Sequence, residues 1–302
     1  MSQSQAKLHR QIASAGDLQG VVRTMKAMAA SNIGQYEQAV KALSDYDHTV
    51  LLGLGLCFRS LLGFAPEPLP PRPDSAKVGA IVFGSDQGLV GRFNDVIVEH
   101  AVEFLAALPG TPQVWAVGER VQARLVAAGL AVVGQYALPS SVEAIAQLVG
   151  QIQLDGDAYR QSQSQKQSQS HGDQPVYVFH NRPQTGSLYK PVSQRLLPLD
   201  IAWEQRLRGQ PWPTSLLPEL MGDGTTTLRA LMSEHLFISL FRACAESLAS
   251  ENASRLAAME RADKNIKELL ERLNNTLHRQ RQGAIDEELF DLISGYEALS
   301  AK

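Results

Sequence analysis

The sequence has few cysteines, no excess of basic residues and no long apolar run. Its 302 residues include two cysteines and carry a formal net charge of −3. Chains that bind nucleic acid usually carry a basic excess, so we expect no nucleic-acid partner. No stretch reaches the roughly 18 uncharged apolar residues of a membrane helix, and the polar N-terminus does not resemble a signal peptide. We therefore expect a cytoplasmic protein whose two cysteines, Cys57 and Cys244, are buried and reduced.

Motifs of common enzymes are also missing. The sequence has no G-x-x-x-x-G-K-[ST] phosphate loop, and its seven histidines show no paired spacing typical of metal ligands. The segment 84–88 reads Gly-Ser-Asp-Gln-Gly, which is not the G-x-S-x-G elbow of a hydrolase. We expect no catalytic residue, no metal and no cofactor.

Glycines cluster after the first predicted strand, where a phosphate-binding loop would place them. Their spacing is not G-x-G-x-x-G, however, so a tight structural turn is favoured. The residues of this predicted turn are Gly84, Ser85, Asp86, Gly88 and Gly91.

Proline is absent from both ends of the chain, before Pro66 and after Pro218. Apolar residues recur there at spacings of three and four, which is typical of amphipathic helices. The second helix would begin at Gly224, with a threonine hydroxyl to cap its first turn, and would be about 110 Å long. A helix of that length needs a partner. The partner is either the first helix, in an antiparallel coiled coil, or a second copy of the chain.

Between the two helices, short apolar runs alternate with helical patterns. This order predicts a parallel α/β sheet, with a further strand at an edge from Ser187 to Pro198. We expect helices over 93–108, 120–128 and from 140 to about 154, and irregular links over 66–73 and 203–219. The predicted fold is a central Rossmann-like α/β domain, residues 74–205, flanked by coiled-coil helices over 1–64 and 225–302. A Gln/Ser-rich segment, 161–170, has no apolar face and is predicted to be a flexible surface insertion.

A band of cationic and amide side chains interrupts the apolar pattern of the last helix at 278–282. It is either a solvated face or a ring of donors for a surrounding partner. The apolar segment that follows, 289–299, needs burial by something outside the chain.

Four segments resemble the gamma subunit of F-type ATP synthases. Residues 23–31 are similar to the family's K-A-M-x-M-V-A-A-S-K, and residues 84–94 to its T-S-D-x-G-L-C-G-x-x-N. Residues 249–259 resemble A-S-E-x-x-A-R-M-x-A-M, and residues 281–289 resemble R-Q-A-x-I-T-x-E-L. Departures at Asn32, Leu277, Gly283 and Asp286 indicate a divergent branch, such as an alternative F-type ATPase.

The resemblance implies a non-catalytic rotor on the cytoplasmic face of a bacterial inner membrane. The coiled coil would sit within a ring of alpha and beta subunits, and the α/β domain would hold the epsilon subunit and the membrane c-ring. The residues we expect to contact the alpha/beta ring are Met25, Arg255, Arg279, Arg281, Gln282 and Asp286. The alternatives are a coiled-coil adaptor and a nucleotide-binding α/β enzyme.

The two long helices also allow a prediction of register. Both join the central domain at one end, so facing residues of an antiparallel pair should have numbers that total about 285. Leu8 would then lie level with Leu277, and the last helix would continue alone beyond that point. The same register separates Cys57 from Cys244 by about 24 Å, which excludes a disulfide between them.

Overall fold

The computed structural model describes residues 3–61, 77–166, 174–184, 187–216, 218–219 and 223–300. The chain divides into two compact units, one of residues 1–29 with 255–302 and one of residues 30–254. Two long helices contribute to both units, α1 (Gln3–Leu61) and α6 (Gly224–Ser300). Among the described residues, no helix combines the length and apolarity needed to cross a membrane.

The unit 30–254 contains a five-stranded sheet in the order β3-β2-β1-β4-β5. The first four strands are parallel, and β5 pairs with β4 antiparallel at the edge. The strands are β1 (Lys77–Phe83), β2 (Thr111–Val117), β3 (Val132–Tyr136), β4 (Val176–Gln184) and β5 (Ser187–Leu197). The shorter helices are α2 (Phe93–Ala106), α3 (Glu119–Ala127), α4 (Val142–Lys166) and α5 (Ile201–Gly209). The predicted α/β sheet with an edge strand and two long helices is confirmed.

Both faces of the sheet are buried, which is why its central strands are continuous apolar runs. On one face, Val82 and Phe179 pack in a cluster with Ile97 of α2 and Leu125 of α3. On the other face, Phe83 and Val178 share a cluster with α4 and α6 residues such as Ile145 and Leu248. The two cysteines are free and buried.

Helix α1 runs unbroken through its glycines. Three of them, Gly16, Gly20 and Gly34, face open space, so each costs helix propensity without a packing role. Gly55 is different, because a Cβ there would lie 2.6 Å from the carbonyl oxygen of Leu207. The close approach of α1 to α5 therefore requires glycine at this position.

Helix α6 is capped by an acidic side chain, not by the threonine hydroxyl that the sequence suggested. The Asp223 carboxylate accepts hydrogen bonds from the backbone N–H groups of Thr225 (3.2 Å) and Thr226 (3.3 Å). Hydrogen bonds from the side chains of both threonines also reach it, and together these bonds lower the pKa of Asp223 to about 2. A carboxylate is favoured at this end because it also interacts with the positive end of the helix dipole.

Two predicted boundaries are wrong. Helix α4 continues to Lys166 instead of ending near Leu154, so residues 161–166 are helical and residues 167–170 lie outside the described residues. Glutamine and lysine are good helix formers, which explains the extension. The predicted irregular link 203–219 begins within α5, whose first turn is capped by Asp200. The predicted linker 66–73 lies outside the described residues.

Candidate functional site

The helices α1 and α6 face each other antiparallel within each unit, with the predicted register. In the unit of 1–29 and 255–302, Gln19 Nε2 donates to Asp263 Oδ1 at 2.9 Å, and Lys26 Nζ lies 3.2 Å from Glu260 Oε1. In the unit 30–254, a Cβ on Gly53 would lie 3.1 Å from Leu231. The residue numbers of these pairs total close to 285, so the register prediction is confirmed.

The paired part of the first unit has a small apolar core. It consists of the buried residues Ala15, Val22, Met259 and Ile266, with Met25 packed against them. Asp263 lies beside this core and receives the Gln19 hydrogen bond, with Lys267 at 3.2 Å and Arg23 at 3.5 Å. That hydrogen bond and the two cations lower the pKa of Asp263. Polar pairs at the rim thus hold the two helices in one register.

Helix α1 begins at Gln3, which the same register places level with about residue 282, so the prediction that α6 continues alone from Leu277 is wrong by about five residues. From residue 281 to residue 294, α6 has almost no cover. Leu277 is 7% exposed, whereas every residue from 281 to 294 is exposed except Ala284, which is half-buried. Large apolar side chains are among them, and the exposed fractions of Phe290 and Leu292 are 70% and 72%. Exposed apolar area of this kind on one helix indicates a surface that another protein covers.

The predicted contact residues occupy two different settings. Arg279, Arg281, Gln282 and Asp286 are exposed near the C-terminal end of α6. Arg255 is half-buried, and Met25 is half-buried against the core of the helix pair. The structure therefore brings four of the six together on one uncovered segment, and sets the other two within the paired region.

Helix α1 carries an exposed apolar stripe that the sequence patterns above do not predict. Leu18, Val21 and Met28 are 54%, 56% and 61% exposed. They lie three and seven residues apart, which places them on one side of the helix. The signal was present in the sequence, because α1 has more apolar residues at helical spacing than one seam with α6 can bury.

The predicted turn after β1 is held by side-chain hydrogen bonds. Ser85 N–H donates to Asn94 Oδ1 at 3.0 Å, and Asn94 Nδ2 donates to Ser85 Oγ at 2.8 Å. Asp86 accepts from the backbone N–H groups of Glu119 at 2.8 Å and Leu138 at 3.0 Å. These bonds attach the turn to the start of α3 and to the end of β3.

The glycines of this turn differ in what surrounds them. A Cβ on Gly84 would lie 2.2 Å from Val121, so no larger residue fits without displacing α3. Gly91 has a φ of +60°, which favours glycine. Beside Gly91, Ser254 Oγ of α6 donates to the Val90 carbonyl oxygen. The turn is therefore packed against α6 as well as α3.

A buried polar cluster also links the sheet to α6. His180 Nε2 of β4 lies 2.7 Å from Glu246 Oε2, and Arg182 Nε donates to the same oxygen at 2.7 Å. Burial lowers the pKa of His180, although the contact with Glu246 opposes that shift. Among the described residues, no group of acidic, histidine or cysteine side chains is arranged to hold a metal ion.

Comparison with known proteins gives one consistent result. A family model described as ATP synthase matches residues 4–299. The ATP synthase gamma chain of Nitrosomonas eutropha is 25% identical, over 98% of this chain and 99% of its own length. The gamma chain of Pasteurella multocida is 24% identical, over 97% of this chain and 98% of its own length.

Solved structures show the same fold. A chain in the rotor of the Euglena gracilis mitochondrial ATP synthase, in rotational state 1, has a TM-score of 0.57 and 16% identity, and covers 93% of this chain and 99% of its own. A chain from the OSCP/F1/c-ring structure of the same synthase, in rotational state 3, has a TM-score of 0.60 and 15% identity, covering 99% of this chain and 95% of its own.

Proposed function

The chain belongs to the ATP synthase family, among its gamma chains, and we propose that α6 beyond Leu277 is the part that enters the catalytic ring. As a gamma subunit the chain is the rotor in the central stalk and makes or breaks no bond itself. This family membership decides against the adaptor and the nucleotide-binding enzyme.

The uncovered end of α6 carries the proposal. It combines exposed apolar residues, such as Phe290 and Leu292, with the cationic and amide band at 278–282. The apolar residues would turn within an apolar sleeve formed by the alpha and beta subunits. Arg279, Arg281, Gln282 and Asp286 would form charge-assisted hydrogen bonds with one catalytic subunit at a time.

The paired region would act as the stiff part of the shaft. Its ion pairs and apolar core resist sliding of α1 along α6. Met25 and Arg255 would contact the ring through the parts of their side chains that the helix pair leaves exposed. The stripe of Leu18, Val21 and Met28 offers a second apolar contact with the ring.

Rotation would couple the two ends of the complex. Ion flow turns the membrane c-ring, and the attached shaft then drives the catalytic subunits through open and closed states in turn. We propose that the α/β domain holds the c-ring and the epsilon subunit. The complex would lie on the cytoplasmic face of a bacterial inner membrane, with this chain as a peripheral component.

Copurification tests the assembly directly. A tagged full-length chain should recover alpha, beta, epsilon and c subunits, and the isolated chain should have no ATPase activity because it lacks a phosphate loop. Recovery of the chain without alpha and beta subunits would contradict the proposal, as would robust ATP turnover by the purified chain.

A truncation tests the role of the uncovered helix end. A chain that ends after Leu277 keeps the buried core of the helix pair, so its own folding should be nearly unchanged. ATP-driven ion pumping by the complex should fall strongly. The matched control ends after Ser300 and removes only two residues. Equal pumping by the two complexes would show that the uncovered end is not the contact.

A further inference from the structure

A cavity of about 610 Å³ lies within the unit 30–254, between one face of the sheet, α4 and α6. Its walls are mainly apolar, and the side chains that define its shape include Ile81, Trp115, Ile152, Leu196, Met232 and Leu236. Trp115 and Tyr159 form an edge-to-face pair, with ring centroids 5.0 Å apart, along one wall. The volume is within the range of cavities that bind small molecules.

Most polar groups around this cavity already have partners. Tyr136 Oη donates to Asp155 at 2.9 Å, and Gln153 Nε2 donates to the Ser233 carbonyl oxygen at 3.0 Å. Asp157, the acidic residue of the lining, has an interaction within the chain as well. These three groups have interaction partners within the chain and need none from a ligand, so the cavity favours an apolar ligand.

Arg229 differs from these three groups. It lines the cavity and is exposed, so it marks the opening. The structure has no hydrogen bond or ion pair for its guanidinium within the described part of the chain. An unpaired cation beside an apolar cavity complements a molecule with an apolar body and an anionic end.

We propose that this cavity binds a single acyl chain with an anionic head group. The chain would occupy the space between Trp115, Ile152 and Leu236, and the head group would pair with Arg229 at the opening. The head could belong to a free fatty acid or to an anionic lipid, since both present the same chemistry. Nothing in the rotor mechanism requires such a ligand, so this site is independent of the function above.

Two glycines on α4 allow a matched test. Gly156 lines the cavity and Gly150 does not, and a Cβ at either would meet nothing within 4 Å. Leucine is a better helix former than glycine, so neither Gly156→Leu nor Gly150→Leu should impair folding. Only Gly156→Leu would place a side chain in the cavity.

Titration calorimetry of the full chain with laurate is the measurement. The parent and Gly150→Leu should bind laurate with similar affinity, and Gly156→Leu should bind more weakly by roughly tenfold for every two methylene groups excluded. Laurate binding that is absent from the parent, or unchanged in Gly156→Leu, would overturn the proposal.

The head group is tested with Arg229→Gln and with dodecanol, which has a chain of equal length but no charge. The variant should lose affinity for laurate and keep its affinity for dodecanol. Equal losses for both would overturn the assignment of Arg229. Cosedimentation of the parent, but not Gly156→Leu, with phosphatidylglycerol vesicles would identify a membrane lipid as the source. Laurate binding without cosedimentation would identify a free fatty acid.

Discussion

Two segments of the same helix, residues 238–254 and 281–294 of α6, have similar apolar spacing and opposite burial. In the first, no residue is exposed, and even polar side chains such as Ser250 and Glu251 are buried. In the second, every residue is exposed apart from the half-buried Ala284. Apolar spacing therefore predicts the helix in both places but does not say what covers it.

The difference lies in where each segment finds its partner. The first packs on the chain's own sheet, where Ser250 Oγ donates to the Asn181 carbonyl oxygen at 3.0 Å. The second has its apolar side chains in solvent in the isolated chain. In a gamma chain of the ATP synthase family, the covering surface would come from the other subunits of the complex.

The largest expected difference between the two segments is in how much a substitution reduces the free energy of unfolding of the chain. Leu248→Ala should reduce the free energy of unfolding by about 2–5 kcal/mol, because Leu248 is buried in the core. Leu289→Ala should change it by less than about 0.5 kcal/mol, because Leu289 is exposed. Urea unfolding of the isolated chain measures both. Similar losses in the two variants would mean that the end of α6 is covered within the chain itself.

The next largest effect is expected on contact with the other subunits, which we propose for the segment 281–294 and not for the segment 238–254. Arg281→Ala should leave the stability of the isolated chain unchanged but weaken contact with the ring by about 1.5–3 kcal/mol, as expected for a charge-assisted hydrogen bond. ATP-driven ion pumping is the measurement, and Arg272→Ala, at an exposed arginine of the paired region, is the control. If Arg281→Ala pumps like the parent, Arg281 is a solvated charge.

A smaller effect concerns pH and the buried cluster of the first segment. Burial lowers the pKa of His180, so the native state binds fewer protons there than the unfolded chain. The contribution of His180 to the free energy of unfolding should therefore be fully present above the ordinary histidine pKa of 6.5 and should decrease as the pH falls below it. Burial alone would raise the pKa of Glu246, but hydrogen bonds from His180 and Arg182 lower it, which adds a further loss below its ordinary value of 4.5.

Urea midpoints at several pH values test this dependence. His180→Gln should flatten the decline between about pH 6.5 and 5, because the amide does not titrate in this range. An unchanged slope in His180→Gln would show that other groups cause the decline.

The smallest effect is expected from the Gln/Ser-rich segment. Deletion of 161–170 should leave assembly and pumping nearly intact, because the sequence of this segment contains no apolar residue that could join the core. Ile152→Ala, in the buried part of α4, is the contrasting control and should reduce stability by about 2–5 kcal/mol. Loss of assembly after the deletion would identify the segment as a partner site.

Sequence patterns predicted part of the candidate site well. The sequence predicts the band at 278–282 and the apolar residues after it, because a break in helical periodicity can be read from the order of the residues alone. Sequence patterns do not predict the half-burial of Met25 or the exposure of Leu18. Which of two apolar stripes on α1 faces α6 depends on the rotation of one helix against the other, and spacing alone does not determine that rotation.

The sequence by itself determined the two long helices, the alternation of strands and helices, and the register near 285, because each follows from local periodicity and chain connectivity. Only the tertiary structure decided which side chains meet across long separations. His180 with Glu246, Asp86 with the N–H of Leu138, and the cavity beside Trp115 all join residues from different elements. Such contacts depend on the relative positions of packed elements to within about 1 Å, and no local pattern carries that information.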